Sequence, residues 1–505
     1  MKPNLTVLLC SLLMTASLMT ACSDEQKAPA TVAAPLEQNA VKNLLLICID
    51  TVRADVFTAL NESPSDPLNA WLDDALVFSR TKSSSSWTVP AVGTVFSGLW
   101  QHGHGAGQLP SMKIVDGVST NESMHRPTAI YPGVPLLAEA AKEAGFHTSI
   151  ISASPWTNDT ESRIGLNTGF DENLRIGKNG AKLAYAKMKE ALATREEGTP
   201  FFQFMHFMEA HDWHLEPEPK MDKRVAQFTP EQLALYLRTA PPTACADKES
   251  LLCKRYLNYA AAVVRLRESI ARLLASMSKD GLLKDTAVVV FSDHGERFGE
   301  HESDPLIARK IKELPEWFIG HGHSMYQELV HVPMFLWHPD IDGAQVDELV
   351  SLIDITPTVS RWLGLDFIPD DAPGIYLEAF LNPSEETRNR VAYASGIVRG
   401  EQQISVSQGP IKSIWYMVSD QYSYYNVIED PLETKSQPTD SMVLTFDGYF
   451  VEYVESKRDV ELIPANFSKE QIQRLQAIGY LQGVEAEDED PHEREESQAQ
   501  QPIEY

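Results

Sequence analysis

The sequence predicts an α/β fold, a mainly parallel sheet between helix layers, with a small C-terminal α+β subdomain. Continuous apolar runs, LLLICI at 44–49 and TAVVVFS at 286–292, are typical of central strands buried on both faces. Segments with helical spacing alternate with such runs, which favours parallel strands joined by crossover helices. Beyond about residue 390 the pattern changes to short strands, which indicates a smaller antiparallel sheet.

The predicted elements follow one another in a simple order. After the strand at 44–49 we expect a helix within 134–145, a strand at 147–154, a helix from Leu257 to Gly281, the strand at 286–292, a strand at 332–337 and a helix at 355–364. The C-terminal strands lie within 403–407, 413–418 and 423–428, before a helix at 468–478. Functional groups in such sheets gather at the carboxyl ends of strands, where both Asp50 and Asp293 stand.

Composition and charge limit the classes of function. The chain has 505 residues, of which 43% are hydrophobic and 23% charged, as in ordinary globular proteins. Its formal net charge of −28 argues against a nucleic-acid partner, because a phosphate backbone would be repelled. An anionic substrate would need local positive charge, and a bound metal ion is the simplest source of it.

The N-terminal residues are typical of a targeting segment. Lys2 precedes an apolar stretch from Leu5 to Met19, and residues 18–22 (LMTAC) match a bacterial lipobox, in which Cys22 would be lipidated after cleavage. We therefore expect an exported lipoprotein of the cell envelope, at the outer membrane or in the periplasm of a Gram-negative bacterium. An uncleaved membrane anchor is the alternative.

The expected segments are a signal peptide at 1–21, a flexible tether at 22–40, a catalytic domain at 41–390, a C-terminal subdomain at 391–483 and a disordered acidic tail at 484–505. Cys48 lies in an apolar strand and is expected to be a buried thiol. Cys245 and Cys253 lie in a polar segment, where we favour a disulfide over two free thiols.

Four segments concentrate reactive side chains, and all four contribute to one hypothesis. They hold Asp50 at a strand end, Thr88 two residues before Pro90, the histidines 206, 211 and 214, and the group Asp293, His294, His321 and His323. Two carboxylates and an imidazole at strand ends are enough to hold a divalent cation. A hydroxyl placed on that cation would be polarised and would become a useful nucleophile.

Together these segments resemble the sulfatase family of the alkaline phosphatase superfamily, over residues 43 to about 481. The stretch 50–55 (DTVRAD) is similar to the family's first metal-ligand segment, and 292–296 (SDHGE) to its second. Non-catalytic stretches agree as well: GLWQHGHG at 98–105, GFDE at 169–172, SLIDITPTVSRWLG at 351–364, NVIEDPLET at 426–434 and LQAIGYL at 475–481. The resemblance implies that Asp50, Asp293, His294 and Thr88 hold one divalent cation. Calcium or magnesium suits an oxygen-rich site, whereas His294 favours zinc or manganese.

One departure from the family changes the expected chemistry. Family sulfatases carry Cys or Ser, then any residue, Pro, Ser and Arg, and the Cys or Ser is oxidised to formylglycine. Here Thr88 takes that position, and Ala91 and Val92 follow Pro90. Threonine's branched Cβ cannot give an aldehyde, so formylglycine is excluded. The resemblance to Thr-nucleophile branches of the superfamily implies instead that Thr88 attacks phosphorus and forms a phosphothreonine.

The resemblance also implies roles for the histidines. His211 and His321 would contact the ester oxygens and the leaving group, and His214 and His323 would contact substrate. The choice between His321 and His323 stays open, and the four together could hold a second metal ion. His206 lies in an apolar run and is interpreted as a buried core histidine.

We therefore expect a metal-dependent hydrolase of phosphate or phosphonate esters, with an anionic ester as substrate, membrane attachment through Cys22 and no nucleic-acid partner. Hydrolysis of sulfate esters by an unmodified Thr88 is the first alternative. The second is an inactive, metal-stabilised envelope lipoprotein, favoured by the missing Ser and Arg after Pro90.

Overall fold

The computed structural model describes residues 41–477, except for 110–111, 116–117, 122–126, 159–163, 178–179, 212, 214–216, 302–318, 369–371, 399, 458–459, 466 and 468. The predicted signal peptide, tether and acidic tail lie outside the described residues. Across the part of the chain that is described, no helix has the length and apolar character needed to cross a membrane.

The strands, in chain order, are β1 (Asn43–Ile49), β2 (Leu76–Lys82), β3 (Gly107–Gln108), β4 (Met112–Val115), β5 (Val118–Asn121), β6 (Pro127–Thr128), β7 (His147–Ser152), β8 (Glu172–Arg175), β9 (Phe201–Phe207), β10 (Thr286–Phe291), β11 (Arg297–Phe298), β12 (Ile319–Gly320), β13 (His331–Trp337), β14 (Ala344–Ser351), β15 (Val391–Ser395), β16 (Gln403–Gln408), β17 (Ile411–Tyr416) and β18 (Gln421–Asn426).

The α-helices are α1 (Ala54–Ala59), α2 (Asn69–Leu72), α3 (Thr88–Ser97), α4 (Gln101–His104), α5 (Leu137–Glu143), α6 (Ala184–Leu192), α7 (Glu218–Val225), α8 (Pro230–Thr239), α9 (Leu251–Lys279), α10 (Gln327–Val330), α11 (Ile355–Leu363), α12 (Glu385–Arg388), α13 (Asp440–Glu455) and α14 (Lys469–Ala477).

Within the described residues, the main sheet has eight strands in the order β14-β2-β13-β10-β1-β9-β7-β8. Strand β1 lies in its interior and pairs in parallel with β10 on one side and β9 on the other. Strand β13 is antiparallel to both of its neighbours, β10 and β2. The other strand pairs of this sheet are parallel, so the predicted α/β fold with a mainly parallel sheet is confirmed.

Successive residues of β1 face two different hydrophobic cores, as the alternation of a strand requires. Leu44, Leu46 and Cys48 pack in a core with residues of α3, α5 and α11. The intervening residues of β1 pack on the opposite face with residues of α1, α6 and α9. Helices therefore cover both faces of the sheet, which explains why the β1 sequence is continuously apolar.

The C-terminal part forms a second sheet, as predicted. Its strands pair in the order β15-β16-β17-β18, each antiparallel to the next. Helix α14 matches the helix predicted at 468–478 to within one residue at each end.

Helix α9 begins six residues earlier than its apolar spacing predicts. Its first residue is Leu251, and the Ser250 hydroxyl caps it by accepting the N–H of Cys253 at 3.1 Å. The predicted disulfide between Cys245 and Cys253 is present. Cys48 is a free, buried thiol, also as predicted.

Candidate active site

The two aspartates predicted at strand ends lie together at one edge of the main sheet. Asp50 follows β1, and Asp293 follows β10 after one serine. Because β1 and β10 are parallel neighbours in register, with Cys48 opposite Phe291, their carboxyl ends meet at this edge. The backbone N–H of Asp50 donates to the carbonyl of Phe207 at the end of β9, at 3.0 Å, which ties the third strand to the same place.

The turn after Asp50 is strained and firmly held. Thr51 has a φ of 62°, a left-handed conformation that a β-branched residue rarely adopts. The Tyr259 hydroxyl donates to the Thr51 carbonyl at 2.8 Å and accepts the N–H of Arg53 at 2.9 Å. The Ser292 hydroxyl accepts the N–H of Val52 at 2.9 Å. Such strain, about 1–3 kcal/mol, persists where the surroundings fix the backbone, and it clusters at functional sites.

Asp50, Asp293 and His294 form a group suited to a metal ion. One ligand atom from each lies within 4.8 Å of the others, and all three side chains are buried. Asp50 Oδ1 and Asp293 Oδ2 accept no hydrogen bond within the described part of the chain. Two buried carboxylate oxygens without donors are costly unless a cation binds them, so the residues fit the predicted divalent cation.

The orientation of His294 supports the same interpretation. Its Nδ1 lies 2.9 Å from the carbonyl oxygen of Gly295. Because a carbonyl only accepts, Nδ1 must carry a proton, and in the neutral ring Nε2 then has a lone pair for a cation. Nε2 is the nitrogen that faces the carboxylates, at 3.6 Å from Asp50 Oδ1 and 3.5 Å from Asp293 Oδ2.

The two carboxylates differ in their electrostatic surroundings. Burial opposes the charged form of Asp50, but the positive charge of His211 and the hydrogen bond from His206 outweigh it and lower the pKa of Asp50 to about 2. Burial and the negative charge of Asp50 raise the pKa of Asp293. A dication between them would relieve this repulsion.

Thr88, the predicted nucleophile, lies directly against this group. It is the first residue of α3. Trp87, which precedes the helix, has an extended backbone, and its side chain does not cap the helix. Its Oγ1 lies 3.3 Å from His294 Nε2, and both side chains are buried. The first N–H groups of a helix have no partner within the helix and favour negative charge nearby. The start of α3 is therefore a suitable place for an anionic ester.

Two of the predicted histidines complete one wall of the site. The ring of His321 packs on that of His294, with ring centroids 4.3 Å apart. The rings of His321 and His211 lie 5.2 Å apart. His323 is half-buried two residues further along. His214 lies outside the described residues.

His206 is nearer to the chemistry than the sequence indicated. Its ring is buried, as expected of a core histidine, but its Nε2 donates to Asp50 Oδ2 at 2.9 Å. Its Nδ1 lies 3.1 Å from the hydroxyl of Thr157. No local signal identifies this role, because it depends on β9 being the neighbour of β1.

Glu296 is a second residue that the sequence analysis did not assign. Its carboxylate is buried and lies 3.3 Å from His321 Nδ1, and the Trp213 indole N–H donates to it at 3.4 Å. Burial raises the pKa of Glu296 to about 8, against the opposing charge of His211. It thus helps to orient His321.

Comparison with protein families and curated proteins gives a consistent result. The sulfatase family model matches residues 42–365. An arylsulfatase of Clostridium perfringens is 22% identical over 290 residues, which cover 54% of this chain and 56% of that protein. A ulvan-active sulfatase of Formosa agariphila is 28% identical over 197 residues, covering 38% and 34%. The chain therefore spans about half or less of the curated relatives it matches.

Solved structures share the fold over most of this chain. A phosphonate monoester hydrolase of Agrobacterium radiobacter superposes with a TM-score of 0.59 and 18% identity, covering 83% of this chain and 95% of that one. A 2-O GAG sulfatase has a TM-score of 0.57 and 16% identity, covering 90% and 99%. A phosphonate monoester hydrolase from Silicibacter pomeroyi has a TM-score of 0.55 and 17% identity, covering 83% and 96%.

Proposed function

Since this chain belongs to the sulfatase family, we propose that it is a metal-dependent hydrolase that cleaves phosphate or phosphonate esters with Thr88 as nucleophile. The observation that carries the proposal is the 3.3 Å approach of Thr88 Oγ1 to His294 Nε2. It puts a hydroxyl beside the buried group of Asp50, Asp293 and His294. A threonine in a merely structural role at the start of α3 would have no need of these neighbours.

The metal group has a defined part in this proposal. Asp50, Asp293 and His294 would hold the divalent cation, with Thr88 Oγ1 beside it. When bound, such a cation neutralises negative charge on the ester and lowers the pKa of a hydroxyl placed on it. His206 holds Asp50 in place through its 2.9 Å hydrogen bond.

The proposed reaction has two displacements at phosphorus. Thr88 Oγ1 loses its proton to solvent and forms a bond to phosphorus, while the bond from phosphorus to the leaving oxygen breaks. That oxygen departs with the electron pair and takes a proton from His321 or His211, whose rings lie side by side. Water then attacks the same phosphorus and gives a proton to the histidine that protonated the leaving oxygen, the bond to Oγ1 breaks, and Thr88 Oγ1 takes a proton from solvent. The N–H groups at the start of α3 stabilise the added negative charge.

The choice of substrate class follows from the nucleophile. Formylglycine cannot form from Thr88, and an alkoxide attacking phosphorus needs no such modification. Hydrolysis of sulfate esters by the unmodified threonine is the second candidate, because the curated relatives are named as sulfatases. An inactive, metal-stabilised lipoprotein would hold the same cation, but it gives no role to the Thr88 hydroxyl that lies 3.3 Å from His294 Nε2.

We also propose that the protein is exported and held at the cell envelope through a lipidated Cys22. The N-terminal lipobox pattern supports this. The disulfide between Cys245 and Cys253 supports it independently, because disulfides persist in oxidising compartments.

Substitution of Thr88 tests the mechanism. Thr88→Ala should lower the rate of phosphate-ester hydrolysis by roughly 10⁴–10⁶-fold, since the attacking oxygen is gone. Thr88→Ser should keep part of the activity, because it loses only the methyl group that restricts the rotamer. Thr94→Ser, the same change further along α3, is the matched control and should behave as wild type.

The assay should use chromogenic phosphate monoesters, diesters, phosphonates and sulfates. Mass spectrometry of enzyme quenched during turnover should find added phosphate on the peptide that contains Thr88. A Thr88→Ala enzyme with the wild-type rate on phosphate esters would disprove the mechanism. Sulfate-ester activity far above phosphate-ester activity would favour the second candidate.

A further inference from the structure

We propose that Glu433, in the turn after β18, is a positioning residue for the active site. Paired with Lys412, it holds the short helix α10. Helix α10 in turn positions the second metal-ligand segment, 292–296, relative to the stretch 83–88 that leads to the nucleophile. Glu433 belongs to the stretch 426–434, to which the proposed chemistry gives no task. The inference rests on the proposed function for its activity and cation-affinity measurements, whereas the hydrogen-exchange measurement is independent of it.

Helix α10 contacts both segments through its backbone. The carbonyl of Leu329 accepts the N–H of Gly295, the residue after His294, at 2.8 Å. The carbonyl of Val330 accepts the N–H of Ser83, five residues before Thr88, also at 2.8 Å. Two consecutive carbonyls of α10 therefore fix the distance between Gly295 and Ser83. Gly295 follows the proposed metal ligand His294, and Ser83 begins the stretch that leads to Thr88.

Little room is left for adjustment at the first of these contacts. A Cβ placed on Gly295 would lie 2.0 Å from the carbonyl oxygen of Glu328. The two backbones are thus in direct contact, and a shift of α10 would carry Gly295 and His294 with it. The Gly295 carbonyl is also the acceptor that fixes the His294 ring.

Glu433 holds α10 at its first residue. One carboxylate oxygen accepts the N–H of Gln327 at 2.6 Å, and the other pairs with Lys412 Nζ at 2.8 Å. The side chains of Glu433 and Lys412 are fully buried, and Lys82 of β2 contacts the Gln327 side chain. The acceptor for the first N–H of α10 therefore comes from the C-terminal part of the chain.

The energetics favour a positional role over a stabilising one. A buried ion pair contributes little net stability, because desolvation of both charges offsets their attraction. Glu433 also has a φ of 50°, a left-handed conformation that is unfavourable for a non-glycine residue. Backbone strain and desolvation both oppose folding, so this arrangement is a poor way to stabilise the protein. It does aim the Glu433 carboxylate at the N–H of Gln327, the first residue of α10.

The segment that carries His321 is held from the same side. The N–H of Val398 donates to the Gly322 carbonyl at 2.7 Å, and the N–H of Gly322 donates to the Ser86 carbonyl at 2.9 Å. The side chain of Gln403, on β16, accepts the N–H of Met325 at 3.1 Å. Residues of the C-terminal region thus hold both ends of the connection from His321 to α10.

Two double variants separate position from charge. Glu433→Gln with Lys412→Met keeps an oxygen that can accept the Gln327 N–H, whereas Glu433→Met with Lys412→Met does not. Both remove the ion pair. We expect the Met/Met variant to lose about 10–100-fold in cation affinity and in kcat, the usual cost of losing a residue that supports a metal ligand. The Gln/Met variant should remain near wild type.

The measurements are isothermal titration of the apoprotein with the divalent cation, steady-state kinetics, and hydrogen exchange at the amides of Ser83 and Gly295. Exchange at these two amides should accelerate only in the Met/Met variant. Glu429→Gln, an exposed glutamate in the same turn, is the matched control and should change none of the three.

Gln327→Pro gives an independent variant in case the Met/Met protein does not fold. Proline is accepted at the first residue of a helix, and Tyr326 before it already has the extended backbone that proline requires. It removes the donated N–H and places the ring Cδ where the Glu433 oxygen now lies, so Glu433 loses its contact with α10 while both Glu433 and Lys412 stay in the chain. It also removes the Gln327 side chain that Lys82 contacts, and the same losses are expected. Wild-type exchange and cation affinity in a folded Met/Met or Gln327→Pro protein would overturn the inference, as would equal losses in the two double variants. Hydrogen exchange decides this even if Thr88→Ala shows that the proposed mechanism is wrong.

Discussion

Replacement of Gly295 by alanine adds one methyl group at the point where the metal-ligand segment meets α10. The new Cβ would lie 2.0 Å from the Glu328 carbonyl oxygen, where ordinary contact begins at 3.4 Å. The obstacle is backbone on both sides, and the Gly295 N–H is bonded to Leu329 at 2.8 Å, so neither partner can turn away alone. One of the two segments must therefore move by more than an ångström.

The expected cost has two parts. Overpacking of a tightly packed site destabilises a protein by about 1–3 kcal/mol. Displacement of the His294 ring, whose Nδ1 is fixed by the Gly295 carbonyl, should weaken cation binding by about 10–100-fold. Thermal unfolding of the apoprotein measures the first effect, and calorimetric titration with the divalent cation measures the second.

Gly448→Ala is the matched control. A Cβ at Gly448 would meet nothing within 4 Å, and the residue lies inside helix α13. The change should therefore stabilise the protein by up to about 1 kcal/mol and leave cation binding unchanged. If Gly295→Ala bound the cation as tightly as wild type and unfolded at the same temperature, the contact with α10 would not determine where His294 lies.

Two further predictions concern acid stability and membrane attachment. Burial and the nearby charge of Lys82 lower the pKa of His331 to about 4, below its usual value near 6.5. Between these pH values the unfolded chain binds a proton that the folded protein does not, so stability falls as the pH drops through this window. Urea unfolding at pH 7.5 and 4.5 measures how much the free energy of unfolding decreases between the two. The decrease should be smaller in His331→Gln than in wild type, by up to roughly 3 kcal/mol. Equal decreases in the two proteins would contradict the prediction. Cys22→Ser should move the protein from the membrane to the soluble fraction on cell fractionation, and an unlipidated precursor in wild-type membranes would refute the lipoprotein hypothesis.

The sequence placed Asp50 and Asp293 well because the signal was local. Each follows an apolar run that is typical of a strand covered on both faces, and parallel strands end at the same edge. The role of His206 could not be found in this way. Its hydrogen bond to Asp50 joins residues 156 apart in the chain, and strand order is not written in the local pattern.

Two other differences from the prediction also arise where the local sequence pattern carries too little information. The strand at 332–337 was expected, but a buried apolar run has the same pattern in either direction, so its antiparallel orientation was not visible. Helix α13 was not predicted. In this helix Leu444 is 76% exposed and Val451 is 53% exposed, so its apolar residues are not confined to one face. The sequence therefore lacks a clear helical period of apolar residues.

The position of β1 between β9 and β10 also has a consequence for folding kinetics. The contact between Thr51 and Asp293 spans 242 residues of chain, so the site assembles only after very distant segments have met. Contacts of such long range are costly in loop entropy and form late. Interactions absent from the folding transition state slow unfolding without accelerating folding. A ligand held at this edge would therefore prolong the lifetime of the native state rather than guide the chain toward it.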